Sequence, residues 1–507
     1  MRKLVTVIAI GALSVSACSS SKRSSTTSTP SSSGATTTTT IAKAPPSSPV
    51  AVPTVTGPIT GGTPDLPVNA APPSLLAKYG YSEREYFFSG TATAFKPVGT
   101  LGQDGKWSVA RATTAPYKSR MVVRTPTDPK KFNGTVVVEW LNETAGRDSD
   151  PDFGFAHLEL LRDGFAYVAV SAQALGITGQ GGFKLPIPGY NPVSLRVQNP
   201  ARYRTLSHPG DDYSYDVFSQ AAQALWRPKG VNPLGALHPQ RIIATGESQS
   251  ATRMVTYVDA FAKTTNLYDG FMIHSRGDNG APVNSAATDA MPDVALIRAD
   301  LGRPVLTIET ETDLFGLGFF RARQPDTDFV RTWEMAGTAH ADQSTLDYGV
   351  ESGHVWSPGV KAPDFSSLCG RLNNGPENVI VSAAFAALNT WVESVLPALA
   401  PPFEITGGTA IARDARGNAL GGIRSPAVDV PISTLDGTLA PGKSVICSLF
   451  GSVTPFTAAT LKTLYPTHDE YLSKVRVAAA AAVTTTFLLP ADAKTIVAQA
   501  QAAPIPS

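Results

Sequence analysis

The sequence predicts an α/β protein: an open, mostly parallel sheet flanked by helices, with antiparallel strands before it and a decoration after it. Two observations carry this expectation. Nearly continuous apolar, β-branched runs suit strands covered on both faces, as in a parallel sheet, and these runs alternate strictly with segments of helical spacing. No repeat of fixed period interrupts the alternation.

Taken in order, Thr91 to Arg124 carries alternating patches such as Trp107-Ser108-Val109-Ala110-Arg111 and predicts antiparallel strands. After the turn signal Lys131-Phe132-Asn133-Gly134, the run Thr135 to Leu141 predicts a buried strand. Phe155 to Arg162 predicts a helix, stopped by Asp163-Gly164, and Phe165 to Val170 a second buried strand. Tyr213 to Trp226 (helix), Arg241 to Thr245 (strand) and Ala251 to Ala262 (helix) follow. Gly270 to His274, Pro304 to Ile308 and Phe329 to Met335 add three short strands, and Val379 to Val395 a long helix. Beyond Pro401 the texture changes to Gly-rich loops and then, from Thr457, alanine-rich helices. That tail, about residues 401–507, reads as a decoration on a core of about 85–400, the whole forming one domain over 54–507.

The first fifty residues belong to targeting. Met1-Arg2-Lys3 is a basic head, and Leu4 to Ser14 an apolar run too short to span a bilayer, which takes roughly 20 apolar residues. Val15-Ser16-Ala17-Cys18 resembles a bacterial lipoprotein signal, so residues 1–17 are expected to be removed and Cys18 to carry acyl chains that anchor the protein to the cell membrane or envelope. Residues 18–53, almost all Ser, Thr, Pro and Ala, read as a tether with too little apolar surface to offset the entropy of ordering.

Composition excludes some classes. With 42 basic and 41 acidic residues the net charge is +1, which lends a nucleic-acid partner no electrostatic support. Three cysteines occur, and with Cys18 lipidated, Cys369 and Cys447 remain as a candidate disulfide in an oxidising compartment. The sequence holds no close His or Cys cluster, which disfavours a bound metal, and the serine chemistry read below requires no metal or organic cofactor.

Directly after the strand ending at Thr245 stands Gly246-Glu247-Ser248-Gln249-Ser250, followed by a helix. This is a variant of the G-x-S-x-G nucleophile elbow of the α/β-hydrolase fold, with Ser250 replacing the last glycine. Ser248 is thereby the candidate nucleophile, and the Gln249 backbone N–H a candidate oxyanion donor. The second donor is expected after the strand ending near Leu141, from the backbone N–H of Asn142 or Glu143. A base must follow the serine, and His340 closes a small-residue loop after the Phe329 to Met335 strand; His274 and His354 are alternatives. The acid is expected just beyond the preceding strand, where Glu309-Thr310-Glu311-Thr312-Asp313 supplies three carboxylates. Asp313, outermost in the anticipated loop, is preferred and Glu311 is the alternative acid.

Four stretches together resemble a family of large bacterial α/β-hydrolase domain proteins: Val136 to Asn142, Gly246 to Ser250, Glu309 to Asp313, and Ala336-Gly337-Thr338-Ala339-His340-Ala341-Asp342. The likeness continues through Asn373-Asn374-Gly375-Pro376 and Gly421 to Pro426. It implies esterase-like chemistry without a defined substrate, and Asp212, His274 and Arg276 fall in stretches that also resemble the family. The expectation is therefore a serine hydrolase cleaving a small-molecule or lipid-like carboxylic ester through an acyl-enzyme. A cell-envelope acyltransferase on the same fold and a non-catalytic ligand-binding lipoprotein are the rival readings.

Overall fold

The computed structural model describes residues 43–179, 193–359, 364–438 and 444–505; the expected signal peptide and the lipidation residue Cys18 lie outside them. Among the described residues ten strands form one sheet. They are β1 (Thr54–Thr56), β2 (Tyr81–Pro97), β3 (Val109–Pro126), β4 (Thr135–Trp140), β5 (Ala166–Val170), β6 (Lys229–Gly230), β7 (Arg241–Glu247), β8 (Gly270–His274), β9 (Val305–Thr310) and β10 (Val330–Met335). Their order is β10-β9-β8-β7-β4-β5-β3-β2-β1-β6. From β5 through β4, β7, β8 and β9 to β10 every pairing is parallel. The β3–β5, β2–β3 and β1–β2 pairings are antiparallel. This is the open, mostly parallel α/β sheet, with antiparallel strands before it, that the order of elements predicted.

The central strands are buried on both faces because successive residues feed two different cores. On β4, Val136, Val138 and Trp140 pack on one side with Tyr215 and Phe218 of the Ser214–Trp226 helix, whereas Val137 faces Phe153, Phe155 and Leu160 of the Pro151–Arg162 helix and Ile380 and Phe385 of the Glu377–Trp391 helix. A strand with no solvent face has no polar positions to alternate, which is why its sequence reads as an unbroken apolar run.

The antiparallel pair carries two arginines whose side chains are fully buried. Arg120 bonds Glu85 at 3.0 Å and Asp148 at 2.9 Å, and Arg124 bonds Glu83 and Asp150 at 2.7 Å each. Charges so placed are tolerated only when paired. Here the pairs tie β3 to the loop that follows β4.

Three expectations need correction. Residues 43–53, counted with the tether, lie against the domain: Lys43 pairs with Asp269 at 2.8 Å, Gln223 Nε2 donates to the Val50 carbonyl at 2.9 Å, and Arg227 reaches the Pro46 carbonyl at 3.0 Å. An extended proline-rich segment presents its own carbonyls, and side chains of the neighbouring helix take them up. The helix after Ser248 runs regularly only over Gln249–Thr256 and continues as a π-helical turn, Tyr257–Ala262. Lastly, the chain after β9 turns at once into the helix Glu311–Gly316, so Asp313 sits in a first helical turn instead of a loop.

The tail is part of the same compact unit, Ala42–Ser507. It is fastened to the edge of the sheet through a parallel bridge between Met335 and Ile423, with the Ala336 N–H donating to the Ile423 carbonyl at 3.0 Å. Its helices His468–Thr484 and Pro490–Gln501 pack on each other around Leu472, Val475 and Ala500. Cys369 and Cys447 are joined by a disulfide. Among the described residues no helix is long and apolar enough to cross a membrane.

Candidate active site

The turn between β7 and the Gln249–Thr256 helix holds Ser248 at φ 57° and ψ −116°, a conformation that a side-chain-bearing residue rarely adopts. The strain projects the hydroxyl away from the sheet. It also brings the backbone so close that a Cβ on Gly246 would lie 2.9 Å from Met254 Cγ and 3.0 Å from Ser250 Cβ. Ser250 is buried and its hydroxyl donates to the Glu247 carbonyl at 3.1 Å, so the small residue standing where many elbows have glycine fastens the turn.

His340 ends the loop after β10. Its Nε2 lies 2.8 Å from Ser248 Oγ and its Nδ1 2.7 Å from Asp313 Oδ1. The other Asp313 oxygen accepts from the Thr310 N–H and hydroxyl, both at 2.7 Å, in a capping box that locks the carboxylate at the start of its helix. Burial alone would raise the Asp313 carboxyl, yet the His340 imidazolium and the Thr310 donors hold it below the ordinary aspartate value. Burial pulls His340 down, but Asp313 first, then Glu247 and Glu377, carry it up to about 9. In its neutral form the imidazole is thus held to one tautomer, Nδ1–H toward Asp313, with Nε2 free to take the serine proton.

Glu311, the alternative acid, is engaged elsewhere. It accepts from the Gly337 N–H at 2.7 Å and the Gly437 N–H at 3.1 Å and pairs with Arg413 at 2.7 Å. Glu309 is buried, with the Arg276 N–H at 3.3 Å from it. The remaining histidines do not meet Ser248. His274 is buried between Asp152 at 2.8 Å and Glu377 at 3.2 Å, His354 is exposed on the Gln343–Trp356 helix, and His468 opens a helix of the tail. Asp212 accepts from the Ser285 N–H at 2.7 Å, and Arg276 is buried with its Nε donating to the Gly277 carbonyl.

The oxyanion donors separate cleanly. Gln249 is the first residue of its helix, where backbone N–H groups lack intrahelical acceptors. The Asn142 backbone N–H, by contrast, donates to the Ser149 carbonyl at 2.9 Å and is not available, which corrects its expected role. That bond forms because the loop after β4 folds back on itself, drawn down by the two buried arginines. The Glu143 N–H is the more available of the two: among the described residues it meets Gln249 Oε1 at 3.4 Å, a contact long enough to be exchanged for a better acceptor. Asn142 serves through its side chain, whose Nδ2 donates to the Glu247 carbonyl at 3.0 Å and to Glu247 Oε2 at 2.9 Å.

Glu247 is a site residue that the sequence reading does not single out. It is 5% exposed, its Oε1 lies 3.5 Å from His340 Nε2, and burial pushes it up to about 7 against the opposing pull of His340 and His274. The signal was its place beside the serine in the motif. Around the turn, Gln249 Nε2 donates to Gln173 Oε1 at 3.0 Å, and Gln173 in turn meets Trp140 Nε1 and Asp211. Among the described residues, no group of three or more His, Cys, Asp or Glu side chains could hold a metal ion.

The arrangement can accept a proton from a hydroxyl and stabilise the resulting imidazolium from two sides. Comparison with known proteins bears on the fold. A family model described as alpha/beta hydrolase domain matches residues 55–498. No curated protein matches. Among solved structures, fungal esterases from Rhizomucor miehei align at 10% identity and TM-score 0.28, over 60% of this chain and 85% of theirs. A lidless serine hydrolase from Xanthomonas campestris aligns at 12% and 0.28, over 53% and 97%. An alpha-beta serine hydrolase homologue from Coxiella burnetii aligns at 11% and 0.24, over 44% and 84%. Similarity that low carries nothing about substrate.

Proposed function

Because this chain belongs to the alpha/beta hydrolase domain family, matched over residues 55–498, we propose that it hydrolyses carboxylic esters, with Ser248 as nucleophile, His340 as general base and Asp313 as the acid that orients the base. The observation that supports this reading is the unbroken hydrogen-bonded line from Ser248 Oγ through His340 to Asp313, at 2.8 Å and 2.7 Å, on a strained strand-to-helix turn.

His340 Nε2 takes the Ser248 proton as Oγ attacks the ester carbonyl. The N–H groups of Gln249 and Glu143 receive the developing oxyanion. The imidazolium then protonates the departing alkoxide, leaving an acyl group on Ser248. Water enters, gives its proton to His340 and attacks the acyl carbon, and the serine is restored. A small-molecule or lipid-like ester is the substrate class. The experiment is steady-state hydrolysis of p-nitrophenyl esters across pH. The base must be neutral, so kcat/KM rises as pH climbs through the His340 value, which Asp313, Glu247 and Glu377 hold near about 9 instead of the 6.5 of a free imidazole. No turnover of any ester, or a profile flat from pH 6 to 9, removes the proposal. We also propose that Cys18 is acylated and anchors the protein; Cys18→Ala would then release it from membranes with its specific activity intact.

A further inference from the structure

His340 is flanked by two carboxylates, of which only Asp313 belongs to the usual serine, histidine and acid set. The second, Glu247, approaches from the opposite edge, with Oε1 3.5 Å from Nε2, the nitrogen that receives the serine proton. A hydrogen bond fixes it there: Asn142 Nδ2 donates to Oε2 at 2.9 Å, which leaves Oε1 turned toward the imidazole. The same Nδ2 donates to the Glu247 carbonyl, so Asn142 clamps both the backbone and the side chain of one residue. A buried carboxylate is costly to desolvate unless something faces it. Here the partner is the reacting histidine.

Resting on the reading of Ser248 and His340 as nucleophile and base, we propose that Glu247 is a positioning residue, aimed by Asn142, that sets how firmly His340 holds the proton it takes from Ser248. No bond to Glu247 forms or breaks. When Ser248 Oγ attacks, its proton moves to Nε2, and the new positive charge lies between Asp313 on the Nδ1 side and Glu247 on the Nε2 side. When the imidazolium gives the proton to the leaving group, Glu247 returns to its resting surroundings. The carboxylate therefore favours proton uptake and slows proton release, and the enzyme works at the pH where the two balance.

The charged groups facing this pair come from every packed element. Asp313 stands on the Glu311–Gly316 helix, Glu377 at the start of the Glu377–Trp391 helix, His274 on β8 and Asp152 on the Pro151–Arg162 helix. Glu309 on β9 and Asp342, which caps the Gln343–Trp356 helix, lie behind Asp313 and Glu377 respectively. His274 is already bonded by Asp152 and Glu377, and those two carboxylates are thereby committed. Among the described residues, Glu247 pairs with no Lys or Arg.

The test reads His340 directly, so that it does not depend on turnover. The imidazole is titrated by NMR in the full chain with 15N-labelled histidine, its signals assigned by comparison with His340→Gln. Glu247→Gln keeps the shape and the acceptor for Asn142 but removes the charge, and it should lower the His340 midpoint by about 1 to 2 pH units. Glu247→Asp, with its charge drawn back, should fall between. The kcat/KM profile of Glu247→Gln should move to lower pH by the same amount, with kcat at its plateau down roughly tenfold and KM nearly unchanged. A His340 midpoint in Glu247→Gln equal to that of the unaltered protein overturns the proposal. Should Glu247→Gln fail to fold, Asn142→Ala replaces it: without the donor on Oε2 the carboxylate is no longer aimed at the imidazole, and the His340 midpoint must again fall, an unchanged one being fatal. An altered midpoint without any ester turnover would leave Glu247 in place and sink the proposed function instead.

Discussion

The nucleophile turn and the histidine loop meet at one hydrogen bond, yet they are held in opposite ways. Ser248 is fixed by its own neighbourhood: β7 before it, a helix after it, Ser250 fastening the turn and the Ser248 N–H donating to the His274 carbonyl of the adjacent strand at 2.9 Å. His340 is held from afar. Its N–H donates to Thr312 Oγ1 at 3.1 Å, and the Thr312 hydroxyl in turn donates to the Gly437 carbonyl. The next residue, Ala341, donates to Leu449 at 3.0 Å, and Glu311 staples Gly337 of the loop to Gly437 of the tail. Gly437 comes so near that a Cβ there would stand 1.8 Å from the Thr338 carbonyl oxygen. The tail read as a decoration is thus the wall against which the histidine loop is set. A locally built element tolerates the loss of distant parts, whereas a loop with remote braces inherits their instability.

Substitutions can break this comparison in order of effect. Ser248→Ala should cost on the order of 10⁴–10⁶ in kcat and leave stability unharmed, since it relieves no brace. Asp313→Asn should cost roughly 10³–10⁴ in kcat, because the amide can no longer hold the tautomer or stabilise the imidazolium; a variant keeping half its rate would remove Asp313 from the line. Glu311→Gln should behave differently. It strips a buried charge from two N–H donors and Arg413, which denaturant titration should register as about 3 kcal/mol of lost stability. Activity measured well below the transition should fall no more than about tenfold. If Glu311→Gln instead abolishes activity at full stability, the division of labour between the two carboxylates is reversed.

The smallest effect concerns the disulfide. Cys369 and Cys447 are separated by 78 positions, and Cys447 stands just before Leu449 and Phe450, whose carbonyls accept from Ala341 and Asn373. Replacing both by serine should lower stability by about 2–4 kcal/mol through the freed chain, with kcat changed less than twofold at low temperature. A large loss of kcat at unchanged stability would mean that the bridge shapes the site itself.

The same contrast explains what was legible in the sequence. The buried strands and the motif around Ser248 are local patterns, and each lies where the pattern put it. Asp313 and Glu311 share a parity only while the chain is extended, and parity offered no way to separate them. Because a helix begins at Glu311, two residues apart means a turn of about 200°, which sends one carboxylate toward His340 and the other toward the tail. Thr310, three residues before Asp313, was the readable cap signal. The Asn142 N–H is not free for an oxyanion because it donates to the Ser149 carbonyl, a bond made only when the loop folds back and so invisible in the local pattern. Gly437 leaves no local trace, and for Glu247 the motif shows only its place beside the serine, because the contact with His340 depends on which distant residues the fold brings together.

The most direct test of the central claim is covalent. A fluorophosphonate probe needs a serine whose proton is being taken by a neighbouring base, so labelling followed by peptide mapping reports the Ser248 and His340 pair without any assumption about substrate. The account predicts modification of Ser248 alone, abolished in His340→Ala and accelerating as pH rises toward about 9. Labelling at another serine, or Ser248 labelling that persists undiminished in His340→Ala, would contradict it.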